Sequence, residues 1–438
     1  MSAALKFLLA AKRCEIRSLE QLAATCELVS RIGQLVHVLQ RERGASSIFI
    51  ASRGARFGDE LARKIADCLG VEAAVRASLD ELETDSRRTS GGVRLFSRIA
   101  WVLNGLDALP ELRAHVRGLT LSSEQTFAAF TKLIGGLLAV VFEAADTAAD
   151  PRVSRTLVAL FNFMQGKELA GQERATGAAG FAAGSFDAAH QQRLVHLIDA
   201  QQRCFDIFAD FAGPELCAYW REALPAAELA EFERLRRRAI APLRYAAPLR
   251  NGGETWFELA TRRIDAMKQV EDRLAAELSA LCEHKTVEAR AELDDHANIL
   301  ASLSSLEAPP GAGPVAMFYD QPGQALAFDA GAAPVGVFDA DAMSPQLGRS
   351  ILDLLQAHAR RLQQVSDELD KVRTALNERK VIERAKGLLM THRGLSEDQA
   401  YKMLRQTAMD QGRRLADVAD TVLSVSGLLK HGERARKA

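Results

Sequence analysis

An all-α fold is what this sequence predicts, on three observations. Hydrophobic residues fill 48% of the 438 positions but only 6% are aromatic, so Ala and Leu build the core. Apolar residues recur at three- and four-residue steps, with breaks near Gly54, Gly91-Gly92, Pro151, Gly184, Pro214, Pro225 and Gly252-Gly253. Late in the chain Leu355, Leu362, Leu369 and Leu376 share one heptad register. Together these predict a large helical-bundle domain over residues 1–303, a linker over 304–346, a coiled-coil helix over 347–376 and a three-helix unit over 377–430.

The opening run MSAALKFLLAAKR is interrupted at Lys6 and closed by Lys12 and Arg13, too short for a signal-peptide core. No later run is read as approaching a membrane span, so no membrane role is expected. Cys14, Cys26, Cys68, Cys204, Cys217 and Cys282 show no CxxC spacing, which argues against a metal site or disulfide framework and for a reducing cytoplasm. A formal net charge of -1 excludes wholesale nucleic-acid wrapping, so any basic function is local. There is no phosphate loop, no nucleophile–histidine–acid arrangement and no metal-ligand spacing among the nine histidines. No enzyme, catalytic residue, metal or cofactor is expected.

In the first region two arginines stand where core residues belong. Ile32, Leu35, Val36 and Leu39 form an apolar stripe, and Arg43 follows four residues on. Leu229 and Phe232 precede Arg236, with Ala239 and Ile240 after it. A guanidinium keeps its proton and is costly to desolvate without a negative partner. Two such forks pointing inward suit a small planar anion, because each presents parallel N–H donors. The alternative is a salt bridge from each arginine to a carboxylate of the same domain, and Glu233 lies three residues before Arg236. On periodicity alone the salt bridge is the weightier reading. Residues 40–46, QRERGAS, also echo residues 171–177, GQERATG, as duplicated halves or convergent small-residue packing would produce.

The linker opens on Ala308-Pro309-Pro310-Gly311-Ala312-Gly313-Pro314, and residues 315–338 contain pieces suited to a small hairpin. In the next helix Ile351, Val365 and Val372 fill the second seam position beside the four leucines, which favours a parallel two-stranded coil and hence a homodimer. An amphipathic helix packing within one chain is the alternative. The last unit carries three apolar stripes: Ile382, Ala385, Leu388 and Leu389; Ala400, Met403, Leu404 and Ala408; Leu415, Val418, Ala419 and Val422. Each is too narrow to stand alone, so they must converge. Arg379, Lys386 and Arg393 recur every seven residues along one side of the first helix, flanked by Lys380 and Arg384. Gly387 leaves room for a phosphate backbone, and Tyr401 could stack on a base.

Two resemblances sharpen this. Residues 39–54, LQRERGASSIFIASRG, are similar to the signature of the nitrate- and nitrite-sensing NIT family. So are Lys167-Glu168 through Arg174-Ala175, Glu233-Arg234-Leu235-Arg236, and Trp256-Phe257 with Arg263-Ile264-Asp265. The resemblance implies a pair of arginines holding nitrate or nitrite, carried here onto Arg43 and Arg236, with Ser46, Ser47 and Arg174 as weaker contacts. Ile382, Ala385-Lys386-Gly387, Leu389-Met390, Ala400, Leu404-Arg405, Ala408 and Leu415-Ala416-Asp417-Val418-Ala419 resemble the ANTAR family of RNA-binding antitermination modules. That resemblance implies contacts to paired stem-loops in a leader mRNA through Arg384, Lys386, Gly387 and Arg405, with Arg379, Lys380 and Tyr401 weaker. Taken together they imply a cytoplasmic, homodimeric regulator of nitrate-assimilation genes, in which the anion unmasks the RNA-binding unit and terminator formation is prevented. The competing class is an anion-gated dimeric signalling scaffold whose last unit binds protein instead of RNA.

Overall fold

The computed structural model describes residues 3–80, 82, 93–148, 150–241, 252–304, 318–321, 324–326, 345–395 and 397–424. The all-helical expectation holds. In chain order the helices are α1 (Ala3–Ala51), α2 (Gly58–Asp80), α3 (Val93–Asp107), α4 (Leu109–Arg117), α5 (Ser123–Thr147), α6 (Pro151–Ala182) and α7 (Ala188–Phe211). There follow α8 (Pro214–Glu222), α9 (Ala226–Ile240), α10 (Gly252–Ser304), α11 (Pro345–Arg393) and α12 (Glu397–Gln411). A last helix, α13, covers residues 415–424. Among the described residues the strands are β1 (Phe318–Gln321) and β2 (Gln324–Leu326), an antiparallel pair inside the linker region. The Pro/Gly-rich run at 308–314 and the 335–338 piece lie outside the described residues, as do Gly91 and Gly92.

Local chemistry sets the helix ends. Pro151, Pro214 and Gly252 open α6, α8 and α10, and Pro225 precedes α9. Ser122 and Gln125 form a capping box on α5, each side chain bonding the other's backbone N–H at 3.1 and 2.9 Å. α11 and α12 are each followed by a left-handed glycine, Gly394 and Gly412, at φ 63° and 59°.

Two helices, one from Leu9 to Ala51 and one from Ser123 to Thr147, are long and apolar enough to cross a membrane, contrary to the reading that no such run exists. Half of each stretch is buried in the protein, and α5 contributes Phe130, Ile134, Leu137 and Val141 to the core. Burial inside a helical bundle and burial in lipid select the same composition.

Contacts divide the chain into two compact units that do not follow chain order. One comprises Met1–Cys26, Ala149–Pro151 and Ser279–Asp370; the other comprises Glu27–Ala148, Arg152–Leu278 and Lys371–Ala438. Within the first, the buried Lys12 ammonium pairs with Glu15 at 2.9 Å and Glu292 at 2.7 Å. Arg361 on α11 bonds both oxygens of Glu292 at 2.8 Å. Two positions of the heptad seam, Leu369 and Val372, are already buried in a single chain. The packing alternative is thus met at these two seam positions; the side chains of Leu355, Leu362 and Leu376 lie outside the described residues.

In the second unit Trp256 is fully buried among Phe186, Leu194, Phe232, Leu235 and Leu259. Burying each such side chain contributes about 1.5–3 kcal/mol. The small C-terminal core gathers Ala385, Leu389, Ala400, Leu404, Ala408, Val418 and Ala419, with Ile382, Met403, Leu415 and Val422 packed against it. The three stripes do converge.

Candidate functional site

α6 carries the charges that organise the sensor. Arg43, arriving on α1, donates from Nη1 to Glu168 Oε1 at 2.6 Å and from Nη2 to Oε2 at 3.0 Å. Its Nη1 also reaches Thr131 Oγ1 at 2.7 Å, and the guanidinium lies 4.5 Å from the centre of the Phe127 ring. Gln40 and Gln172 donate to the same carboxylate at 2.8 and 3.0 Å. Further along α6, Glu173 makes the matching clasp on Arg236, accepting from Nε at 2.6 Å and Nη2 at 2.7 Å. Glu233 takes Arg236 Nη1 at 2.7 Å. Arg263 shares this second node, donating to Gln201 Oε1 at 2.8 Å and standing 3.8 Å from Glu173.

Arg43 and Arg236 therefore sit inside the bundle, but not as bare forks. The expectation of two unneutralised guanidinium groups is corrected: each is bound edge-on by a carboxylate of its own domain, as the salt-bridge alternative required. The physical reason is desolvation. A buried guanidinium without a counter-charge is costly, and a carboxylate matches its two parallel donors. Burial is the largest influence on Arg236 and lowers its pKa, but the bonds and charges of Glu173 and Glu233 together hold it above its ordinary value.

Arg174 behaves differently. It is half-buried, donates to Thr261 Oγ1 at 3.0 Å, lies 5.0 Å from the Phe257 ring centre, and has no carboxylate salt bridge among the described residues. Burial pushes its pKa down to about 10, and the neighbouring Arg43 charge pushes the same way. Arg263 is likewise pushed down to about 10, by burial and then by Arg236. The repelling cations are thus paired as Arg43 with Arg174 and Arg236 with Arg263. Arg43 holds the Glu168 carboxylate in a salt bridge, whereas Arg174 feels Asp265 and Glu168 only through space and bridges no carboxylate among the described residues.

The close passage of α1 and α6 explains the sequence echo. A Cβ on Gly171 would stand 3.2 Å from Arg43 Nη2, and one on Gly44 would stand 3.6 Å from Arg174 Nη2. Each helix seats its arginine over the other's glycine. Of the weaker candidates, Ser46 is buried, while the Ser47 hydroxyl donates to the Arg43 carbonyl at 3.0 Å, a bond within its own helix. Nearby, Lys167 is fully buried with its ammonium 2.5 Å from Glu271. His37 has an unpartnered Nδ1, and burial, aided by Lys167 and Lys268, pushes its pKa down to about 3. Glu168, Glu173, Thr131, Gln201 and Thr261 escaped sequence reasoning. Glu168 and Arg263 lay within the family-like stretches, but nothing in periodicity assigned them partners.

The basic face of the C-terminal unit splits in two. Arg384, Gly387 and Arg405 are exposed, and a Cβ on Gly387 would meet open space. Lys380, Tyr401 and Lys386 are engaged. Lys380 Nζ is 2.5 Å from Asp146 of α5 and 5.5 Å from the Phe142 ring centre. Tyr401 lies under the Arg203 guanidinium of α7 at 4.1 Å. Lys386, expected on a solvated stripe, is buried and pairs with Glu383 at 2.8 Å. A long apolar stem can be buried while its ammonium keeps a partner, which the seven-residue count does not register. The Arg379 side chain lies outside the described residues, as does Ser396.

Comparisons with known proteins agree with this division. Residues 34–279 match the family model described as nitrate and nitrite sensing, and residues 370–423 match the ANTAR domain model. The chain is 34% identical over 423 residues to the nitrate regulatory protein of Klebsiella oxytoca, covering 95% of this chain and 94% of that one. Over 79 residues it is 34% identical to the transcriptional regulatory protein PdtaR of Mycobacterium tuberculosis, covering 18% of this chain and 38% of that one. Among solved structures, that of the NasR transcription antiterminator matches with a TM-score of 0.56 and 32% identity, over 98% of this chain and 100% of that one.

Proposed function

Given that the chain belongs to the NIT family of nitrate and nitrite sensors and carries an ANTAR domain, we propose that it is a cytoplasmic, nitrate- or nitrite-gated antiterminator that binds paired stem-loops in leader mRNA. It is a regulator and not an enzyme. The observation that carries this reading is the pair of contacts holding Lys380 and Tyr401 on Asp146 and Arg203. Two groups suited to a phosphate and a base are thereby covered by the sensor. Arg384 and Arg405 stay outward, so the covered state retains only part of the RNA face.

The anion enters at Arg43 and Arg236 and is drawn by Arg174, which bridges no carboxylate among the described residues. Nitrate is weakly hydrated, so it is desolvated more cheaply than a phosphate. Moving a population from mostly covered to mostly released needs about 5.5 kcal/mol of differential affinity. Charged hydrogen bonds contribute about 1.5–3 kcal/mol each, so two to four of them suffice. The released domain then pairs with a second copy through α11, whose seam exchanges its own-chain packing for the partner helix.

Fluorescence anisotropy of the full chain with a labelled tandem stem-loop leader, with and without nitrate, tests this. Affinity should rise on adding nitrate and fall steeply with salt. Calorimetric binding of nitrate with no RNA binding in either condition would instead favour the protein-binding scaffold.

A further inference from the structure

Glu168 is more than a structural counter-ion. Its carboxylate presents Arg43 with two oxygens on a planar trigonal centre, which is also the edge that nitrate or nitrite presents. The fork is filled at 2.6 and 3.0 Å by a group that mimics the ligand. The same carboxylate is held independently by Gln40 and Gln172, whose amides donate to its two oxygens at 2.8 and 3.0 Å. If Arg43 were taken from it, Glu168 would still keep two hydrogen bonds. Those donors satisfy the lone pairs that Arg43 leaves open, and they would hold the carboxylate in place after the fork is vacated. Arg174 completes the picture: it donates to the Thr261 hydroxyl at 3.0 Å, its Nη2 lies beside Gly44, the residue after Arg43, and it bridges no carboxylate among the described residues, so an incoming anion would gain a cation that Glu168 does not clasp.

We propose that Glu168 is a built-in competitor of the anion, occupying the Arg43 fork in the unliganded sensor and setting the concentration at which nitrate or nitrite displaces it. The inference rests on the reading of Arg43 as an anion anchor. Displacement is an exchange of one trigonal acceptor for another on the same donors, so Arg43 contributes little net affinity. The gain comes from Arg174, and the threshold comes from Glu168. Removing the competitor's charge should tighten binding, which is the reverse of what loss of a merely supporting residue does.

Calorimetric titration of the full chain with sodium nitrate, comparing the unaltered protein with E168Q, decides the matter. The expected result is an affinity in E168Q about tenfold tighter than in the unaltered protein. If E168Q does not fold, E168D, which keeps the charge but withdraws it from Arg43 by one methylene, is read in the same direction. Nitrate binding to the unaltered chain with equal or weaker affinity in the variant overturns the competitor role alone. Absence of binding to both overturns the anion-anchor reading and the competitor with it.

Discussion

Two faces of the same compact unit use arginine in opposite ways. Around α6 the guanidinium groups of Arg43, Arg236 and Arg263 are buried and met by Glu168, Glu173, Glu233 and Gln201. On the C-terminal helices Arg384 and Arg405 are exposed. Buried pairs are held by desolvation: neither partner can leave without exposing the other to a poor medium. Exposed cations cost nothing to hold ready and weaken with salt. The first arrangement suits a switch that answers only to a compact anion of matching shape. The second suits a surface that waits for a polyanion.

The contrast is sharpest in stability. R236A leaves the buried Glu173 with the Gln201 amide at 2.8 Å and Arg263 at 3.8 Å, and should destabilise the fold by about 3–5 kcal/mol. R405A, on the exposed face, should change it by no more than about 0.5 kcal/mol. Urea denaturation followed by circular dichroism measures both. Equal costs would erase the distinction between the faces. It follows that R236A cannot be read as a pure ligand-binding lesion, whereas R43K keeps the charge and tests the fork geometry more cleanly.

The join between the two faces comes next in size. R203A removes the cation over Tyr401, an interaction of about 0.5–2 kcal/mol, and should raise RNA affinity without nitrate by about twofold to thirtyfold. D146A should act in the same direction through Lys380. Anisotropy titrations in nitrate-free buffer give the number. Unchanged basal affinity in both variants would remove the covering role of these contacts.

The two faces also differ in how much of them the sequence reveals. The C-terminal unit is contiguous, and its core residues Ala385, Leu389, Ala400, Leu404 and Val418 follow from helical spacing alone. Burial of Lys386 was missed because a long side chain can enter a core whose helix position reads as surface. Around α6, the positions of Arg43 and Arg236 on apolar stripes showed that they point inward. Glu233, three residues before Arg236, was legible as a partner, but the clasping carboxylates Glu168 and Glu173 lie 125 and 63 residues away, and no periodicity connects such distances. The echo of 40–46 in 171–177 was visible, but its meaning, an arginine seated over a glycine in each direction, needed the crossing of α1 and α6.

Proton uptake gives the smallest effect and separates the faces once more. His37, beside the buried Lys167 layer, is kept neutral down to about pH 3, chiefly by burial and then by the charges of Lys167 and Lys268, against an ordinary value of 6.5. As pH falls from 6.5 toward 3, the unfolded chain takes up a proton that the folded chain refuses. Stability from this residue is therefore complete above 6.5 and is lost progressively on acidification through that window. Thermal melts of the full chain between these limits should slope downward with falling pH, and H37Q should flatten part of that slope. An identical slope in H37Q would place the acid sensitivity elsewhere and leave the sensor layer without a titrating member in this range.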